Sequence, residues 1–151
     1  RAGARGIGAE RLVFAGRVEP GRYLARMELA DLFLDTSPYN AGTVASDALR
    51  MGLPLLTWSQ DSFASRMAGS LLRAVGVIET VKNNLDDYIE AAVSIGNDVE
   101  RHARLKRMLS GDAWRRGLGD SARFTAELED VFRAARRHPD SVPEAETCPA
   151  A

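Results

Sequence analysis

Short apolar runs alternate with segments of helical period along most of this chain, and that alternation leaves few folds open. Residues 11–15 (RLVFA) are β-prone and closed by Gly16, residues 32–35 (LFLD) are too short for a helix, and residues 54–58 (PLLTW) form a third run. Between them, Tyr23, Met27 and Ala30 share one helical face over residues 23–30, and Val44, Ala45, Ala48 and Leu49 form a stripe on a helix starting at Thr43. Gly52 sits where a left-handed cap belongs. Phe63, Met67, Leu71 and Val75 then predict a helix stopped by Gly76, with Val77 and Ile78 as a fourth, very short strand. Asn84 is placed to cap a helix carrying Leu85, Tyr88, Ile89, Ala92 and Val93, and another is predicted over residues 99–109. Asp120 or Ser121 opens a last helix with Phe124, Leu128, Val131, Phe132 and Ala135 on one face. The pattern predicts an α/β fold, a Rossmann-like lobe with a parallel sheet and flanking helices.

A length of 151 residues accommodates one domain, assigned here to residues 1–138. Residues 139–151 turn to Pro, Glu, Ser and Ala, a composition that predicts a disordered tail. Twenty basic against twenty-one acidic side chains leave a net charge of -1, so no whole-chain field draws in nucleic acid or an anionic membrane surface. The single cysteine, Cys148, cannot close an intramolecular disulfide, which fits a reducing, cytoplasmic compartment. No apolar run approaches the roughly eighteen residues of a membrane span. The opening RAGARGIGAE reads as the interior of a longer protein, so an active site divided between this chain and a preceding part is expected.

In such sheets ligands sit beyond the carboxyl ends of the strands, where loops lead into helix N-termini. The stretch DTSPYNAGTVASDALRMGLPLLT, residues 35–57, occupies that position. A helix N-terminus offers unpaired N–H groups and roughly half a positive charge, which suits phosphate without any basic side chain. Asn40, Ala41 and Gly42 keep bulk away from the approach, the Thr43 hydroxyl adds a donor, and Asp47 lies one turn deeper on the same face, where a carboxylate accepts hydrogen bonds from vicinal hydroxyls. The same residues also read as a turn, a cap and a dipole-complementing acid, which is the commoner arrangement for such spacing.

Elsewhere the chemistry is sparse. His102 lies on a charged segment, ERHARLKR, and reads as solvated. No His or Cys spacing suggests a metal site. Ser37, Ser46 and Ser59 lack a nucleophile elbow and a partner base. Trp58, at the end of a strand, fits the acceptor side of a cleft or a core position.

The run LADLFLDTSPYNAGTVASDALRMGLPLLT, followed by FASRMAGSLL, resembles the carboxyl-terminal lobe of protein O-GlcNAc transferases, the family that includes SPINDLY-like proteins; the likeness extends over residues 11–136. The resemblance implies a two-lobed GT-B-type glycosyltransferase, usually behind tetratricopeptide repeats, that is metal-independent, inverting, and transfers N-acetylglucosamine from UDP-N-acetylglucosamine to Ser or Thr of a protein acceptor. By position it implies donor-binding roles for Thr43 at the β-phosphate and Asp47 at the ribose. Tyr23 falls where relatives carry a histidine that stacks on uracil, Arg26 at a nearby basic position, and Val18 where a backbone contact to the base is expected. Asn40, Gly42 and Val44 complete the implied donor set. Gly42 and Val44 depart from a His-Thr-Thr pattern and remove two phosphate-side donors. No catalytic residue is expected within this chain, because the family's phosphate-binding lysine and acid/base candidates belong to the amino-terminal side. Two alternatives stay open: a noncatalytic interaction module that keeps the fold, and a transferase using another nucleotide-sugar, such as a fucosyl donor.

Overall fold

The computed structural model describes residues 1–137. Helix α1 (Pro20–Met27) leads to strand β1 (Phe33–Leu34), helix α2 (Thr43–Arg50), strand β2 (Leu55–Trp58), helix α3 (Met67–Ala74), strand β3 (Val81–Lys82) and helices α4 (Leu85–Asn97), α5 (Val99–Leu109), α6 (Ala113–Gly117) and α7 (Ser121–Arg137). The three strands are parallel in the order β1-β2-β3, with Phe33 opposite Leu55 and Thr57 opposite Val81. All three therefore present their carboxyl ends to one side, where the β1–α2 and β2–α3 loops lie.

The core forms where the apolar stripes meet the middle strand. Leu55, Leu56 and Thr57 of β2 are buried, as expected for a central parallel strand covered on both faces. Ala45 and Leu49 of α2, Ala68 and Leu72 of α3, and Ala91 and Ile95 of α4 pack in the same cluster, joined by Leu105 and Leu109 of α5. Burying each leucine contributes about 2 kcal/mol. Gly52 and Gly76 adopt φ of 72° and 79°, the left-handed caps that the sequence predicts. The Asn84 side chain accepts from the Asp87 amide, and Asp120 accepts from the Arg123 amide, so both predicted caps form.

Several expectations are corrected. Residues 11–15 are not a strand: a 3-10 turn covers Ala9–Arg11, and Val13 and Phe14 stand exposed, the latter at 91%. A strand needs a neighbour to receive its N–H and C=O groups, and none of the described strands lies beside this segment. The last strand is also displaced. Val77 is buried, Ile78–Thr80 takes a 3-10 turn, and pairing begins only at Val81. Helix α1 starts at Pro20, whose fixed φ suits a first turn, and ends at Met27. The segment before α3 is a 3-10 turn, Ala64–Arg66. Helix α6 was not anticipated. Its Gly117 is a contact glycine, since a Cβ there would stand 2.3 Å from the Ala74 carbonyl oxygen.

His102 is not merely solvated: its Nε2 lies 2.8 Å from the Asp31 carbonyl, which makes Nε2 the donor and ties α5 to the start of β1. The amphipathic face of α7 exists, but Phe124, Val131 and Phe132 remain exposed because no described element packs on them. The predicted disordered tail, residues 139–151, lies outside the described residues.

Candidate functional site

Beyond the carboxyl ends of β1 and β2 lies a cleft of about 760 Å³, lined by Tyr39, Asn40, Gly42, Thr43, Val44 and Asp47, with Met67 and Leu71 of α3 as its apolar wall. Helix α2 points its N-terminus into this space. Gly42 is the N-cap residue, and no side chain caps the helix. The first-turn amides are thus left with their donor capacity on the cleft side. The Thr43 side chain is exposed at the first helical position, and Val44 is 41% exposed beside it. Asp47 lines the same wall one turn further along.

The loop that carries this helix start is held from within. Asp35, 7% exposed, accepts hydrogen bonds from the Thr36 and Ala41 amides, both at 2.8 Å, through Oδ1. Its Oδ2 accepts the Thr57 hydroxyl at 2.6 Å. Asn40 is 1% exposed; its side-chain amide donates to the Thr36 carbonyl at 2.9 Å and reaches the Trp58 carbonyl at 3.4 Å. The Asn40 side chain is therefore engaged in shaping the loop. The neighbouring β2–α3 loop joins through Gln60, which donates to Ser37 Oγ, and through the main-chain N–H of Asn40, which donates to the Ala64 carbonyl. From the other side of the sheet the Tyr88 hydroxyl donates to the Asp35 carbonyl at 2.9 Å. Burial, and then the Asp35 charge, push the Tyr88 phenol above its ordinary range.

Asp35, Thr57 and Tyr88 were not singled out by sequence reasoning as parts of this site. Their partners lie 22 and 53 residues apart in the chain, so no local pattern marks them.

The remaining candidates divide. Half-buried Tyr23 of α1 stands against α2: burial and the Asp47 carboxylate raise its pKa, so the aromatic ring and the acid are neighbours. Arg26 donates to the Gly16 carbonyl at 3.1 Å and tethers the preceding segment to α1. Val18 and Arg26 line a separate groove with Arg22 and Leu29, of about 510 Å³. Asn40, Gly42, Thr43, Val44 and Asp47 thus share one cleft, Tyr23 adjoins it through Asp47, and Val18 and Arg26 lie on the next groove. Trp58 does not line the cleft; its Nε1 is buried and finds no hydrogen-bond partner among the described residues. Among the described residues, no helix is long and apolar enough to cross a membrane.

The fold superposes on an O-GlcNAc transferase of Thermobaculum terrenum, solved as a lysine-to-methionine variant. The TM-score is 0.76 at 36% identity, over 87% of this chain and 25% of that one. The parallel sheet, its helices and this likeness define a Rossmann-like lobe of the GT-B glycosyltransferase type. Residues 1–128 match the profile of glycosyl transferase family 41.

Two similar proteins agree. A tomato (Solanum lycopersicum) protein named probable UDP-N-acetylglucosamine–peptide N-acetylglucosaminyltransferase SPINDLY is 33% identical over 76% of this chain, and the UDP-N-acetylglucosamine–peptide N-acetylglucosaminyltransferase of Caenorhabditis elegans is 32% identical over 85%. The matched region spans 12% and 11% of those two proteins. The chain belongs to glycosyl transferase family 41.

Proposed function

We propose that this chain is the donor-binding lobe of a protein O-linked N-acetylglucosaminyltransferase, with UDP-N-acetylglucosamine as donor and a Ser or Thr hydroxyl of a protein as acceptor. The observation that carries the reading is the uncapped N-terminus of α2, opening with Thr43 and Asp47 onto one cleft at the carboxyl end of the sheet of a family 41 chain. The first-turn amides and the Thr43 hydroxyl meet the β-phosphate, Asp47 accepts from the ribose hydroxyls, and Tyr23, on the far side of Asp47, offers a ring face to the base.

In the reaction the acceptor oxygen attacks the anomeric carbon, the bond to the β-phosphate oxygen breaks, and UDP leaves with the negative charge. The α2 dipole at Thr43 stabilises part of that charge, and groups supplied by an amino-terminal lobe stabilise the rest and move the acceptor proton. Catalysis therefore needs both lobes, and this lobe supplies binding. The reading includes metal independence, so chelation with EDTA leaves UDP affinity unchanged.

Calorimetric titration of the chain with UDP, GDP and UDP-N-acetylglucosamine, beside Thr43→Ala and Asp47→Ala variants of retained fold, tests the reading. Saturable UDP binding weakened by both substitutions supports it. Preference for GDP moves the assignment to another nucleotide-sugar. Absence of binding at millimolar ligand favours a noncatalytic module, for which the loss of donors at Gly42 and Val44 is the supporting observation.

A further inference from the structure

We infer that Asp35 is a positioning residue for diphosphate binding, fixed by Thr57 and Tyr88 so that the β1–α2 loop delivers the start of α2 to the cleft in one geometry. The inference rests on the donor-site reading and deepens it. An ionised carboxylate only accepts hydrogen bonds, so Asp35 has nothing to donate to a phosphate, and burial keeps it from the ligand. What it holds is the loop. Oδ1 takes the amides of Thr36 and Ala41, at the two ends of the loop, and Ala41 immediately precedes the N-cap Gly42. Oδ2 takes the hydroxyl of Thr57, which is fully buried in the central strand.

The Thr57 proton is committed there, because its other acceptor, Asn40 Oδ1, is at 3.4 Å against 2.6 Å. The main chain of Asp35 is fixed as firmly: its amide donates to the Leu56 carbonyl, and its carbonyl accepts from Tyr88 of α4. One residue thus ties the loop to β2 and α4 at once. Loop geometry set in this way acts on whatever the α2 amides bind and leaves the base-side contacts untouched.

The test compares UDP with uridine on the intact chain by NMR titration, in wild type, Thr57→Val, Thr57→Ser and Tyr88→Phe, each checked for a wild-type-like melting curve. Thr57→Val keeps the side-chain shape and deletes the donor. The expected result is an affinity for UDP lowered about fivefold to tenfold while uridine affinity is unchanged, with faster exchange of the Ala41 amide. Thr57→Ser, which restores the hydroxyl, returns UDP affinity to the wild-type value. Tyr88→Phe gives a smaller loss in the same direction. Thr57→Val binding UDP as wild type does, while Thr43→Ala and Asp47→Ala weaken it, overturns the positioning role and leaves the donor reading intact. Equal losses for UDP and uridine overturn it as well, since they indicate general loosening. A wild-type chain that binds no UDP overturns both readings.

Discussion

The Asp47 carboxylate of α2 lies near enough to the Tyr23 phenol of α1 for its charge, after the larger effect of burial, to favour the neutral phenol. The sign follows directly. A phenol whose pKa is higher folded than unfolded stabilises the fold below its unfolded pKa, near 10, and that contribution disappears as pH rises through the folded value. Asp47→Asn removes the carboxylate contribution, so the Tyr23 titration moves down toward the ordinary value. NMR titration of the tyrosine ring carbons reads the shift, and an unmoved Tyr23 curve in the variant contradicts the pairing.

The resemblance implies a His-Thr-Thr pattern at the α2 start, against which Gly42 and Val44 lack two donors. Gly42 has φ of -102°, and a Cβ there meets Met67 Cγ at 3.5 Å, an ordinary contact, so the fold does not require glycine. Val44 is exposed beside it. Val44→Thr, alone or with Gly42→His, is expected to strengthen UDP binding by about 1 kcal/mol per added hydrogen bond, measured by calorimetry. Unchanged affinity in both variants argues that the phosphate is not at this turn.

Gly117 is held against the end of α3. Its missing side chain is the reason α6 can approach, because a Cβ would overlap the Ala74 carbonyl. Gly117→Ala should lower unfolding free energy by about 1–3 kcal/mol through forced backbone displacement, measured by urea denaturation. A midpoint equal to wild type would show that α6 shifts freely.

Asn84 isolates local stability from binding. Removing the side chain that accepts from the Asp87 amide should cost about 1 kcal/mol in Asn84→Ala. The cap lies far from the α2 start along the chain, and UDP affinity should not change. A large affinity loss in this variant would tie the α4 start to ligand binding.

What the sequence disclosed follows the range of the interactions involved. Helices α2, α4 and α5 were legible because their signals are local: a stripe of period near 3.6, a capping Asn84, a left-handed Gly52. Strand β2 was legible because three consecutive residues, Leu55, Leu56 and Thr57, are buried. Residues 11–15 carry the same apolar character, but pairing depends on a neighbour that sequence character does not supply. The turn at Ile78–Thr80 displaced β3 by only a few residues, yet enough to misplace the strand. That Thr43 and Asp47 share one cleft wall was legible by helical spacing. Asp35 was not, because Thr57 is 22 residues away and Tyr88 is 53 residues away, and no periodicity links them.

Strand β1 forms its hydrogen bonds to β2 through the Phe33 and Asp35 amides, which leaves the N–H and C=O of Leu34 directed to the other edge, where no described strand lies. Leu34 itself is 53% exposed, and a strand edge without a described neighbour that carries an exposed apolar side chain is a template for intermolecular β pairing. The isolated chain is therefore expected to be concentration-sensitive, with association beginning at Leu34, and charge placed there, as in Leu34→Lys, should act as a solubilising gatekeeper.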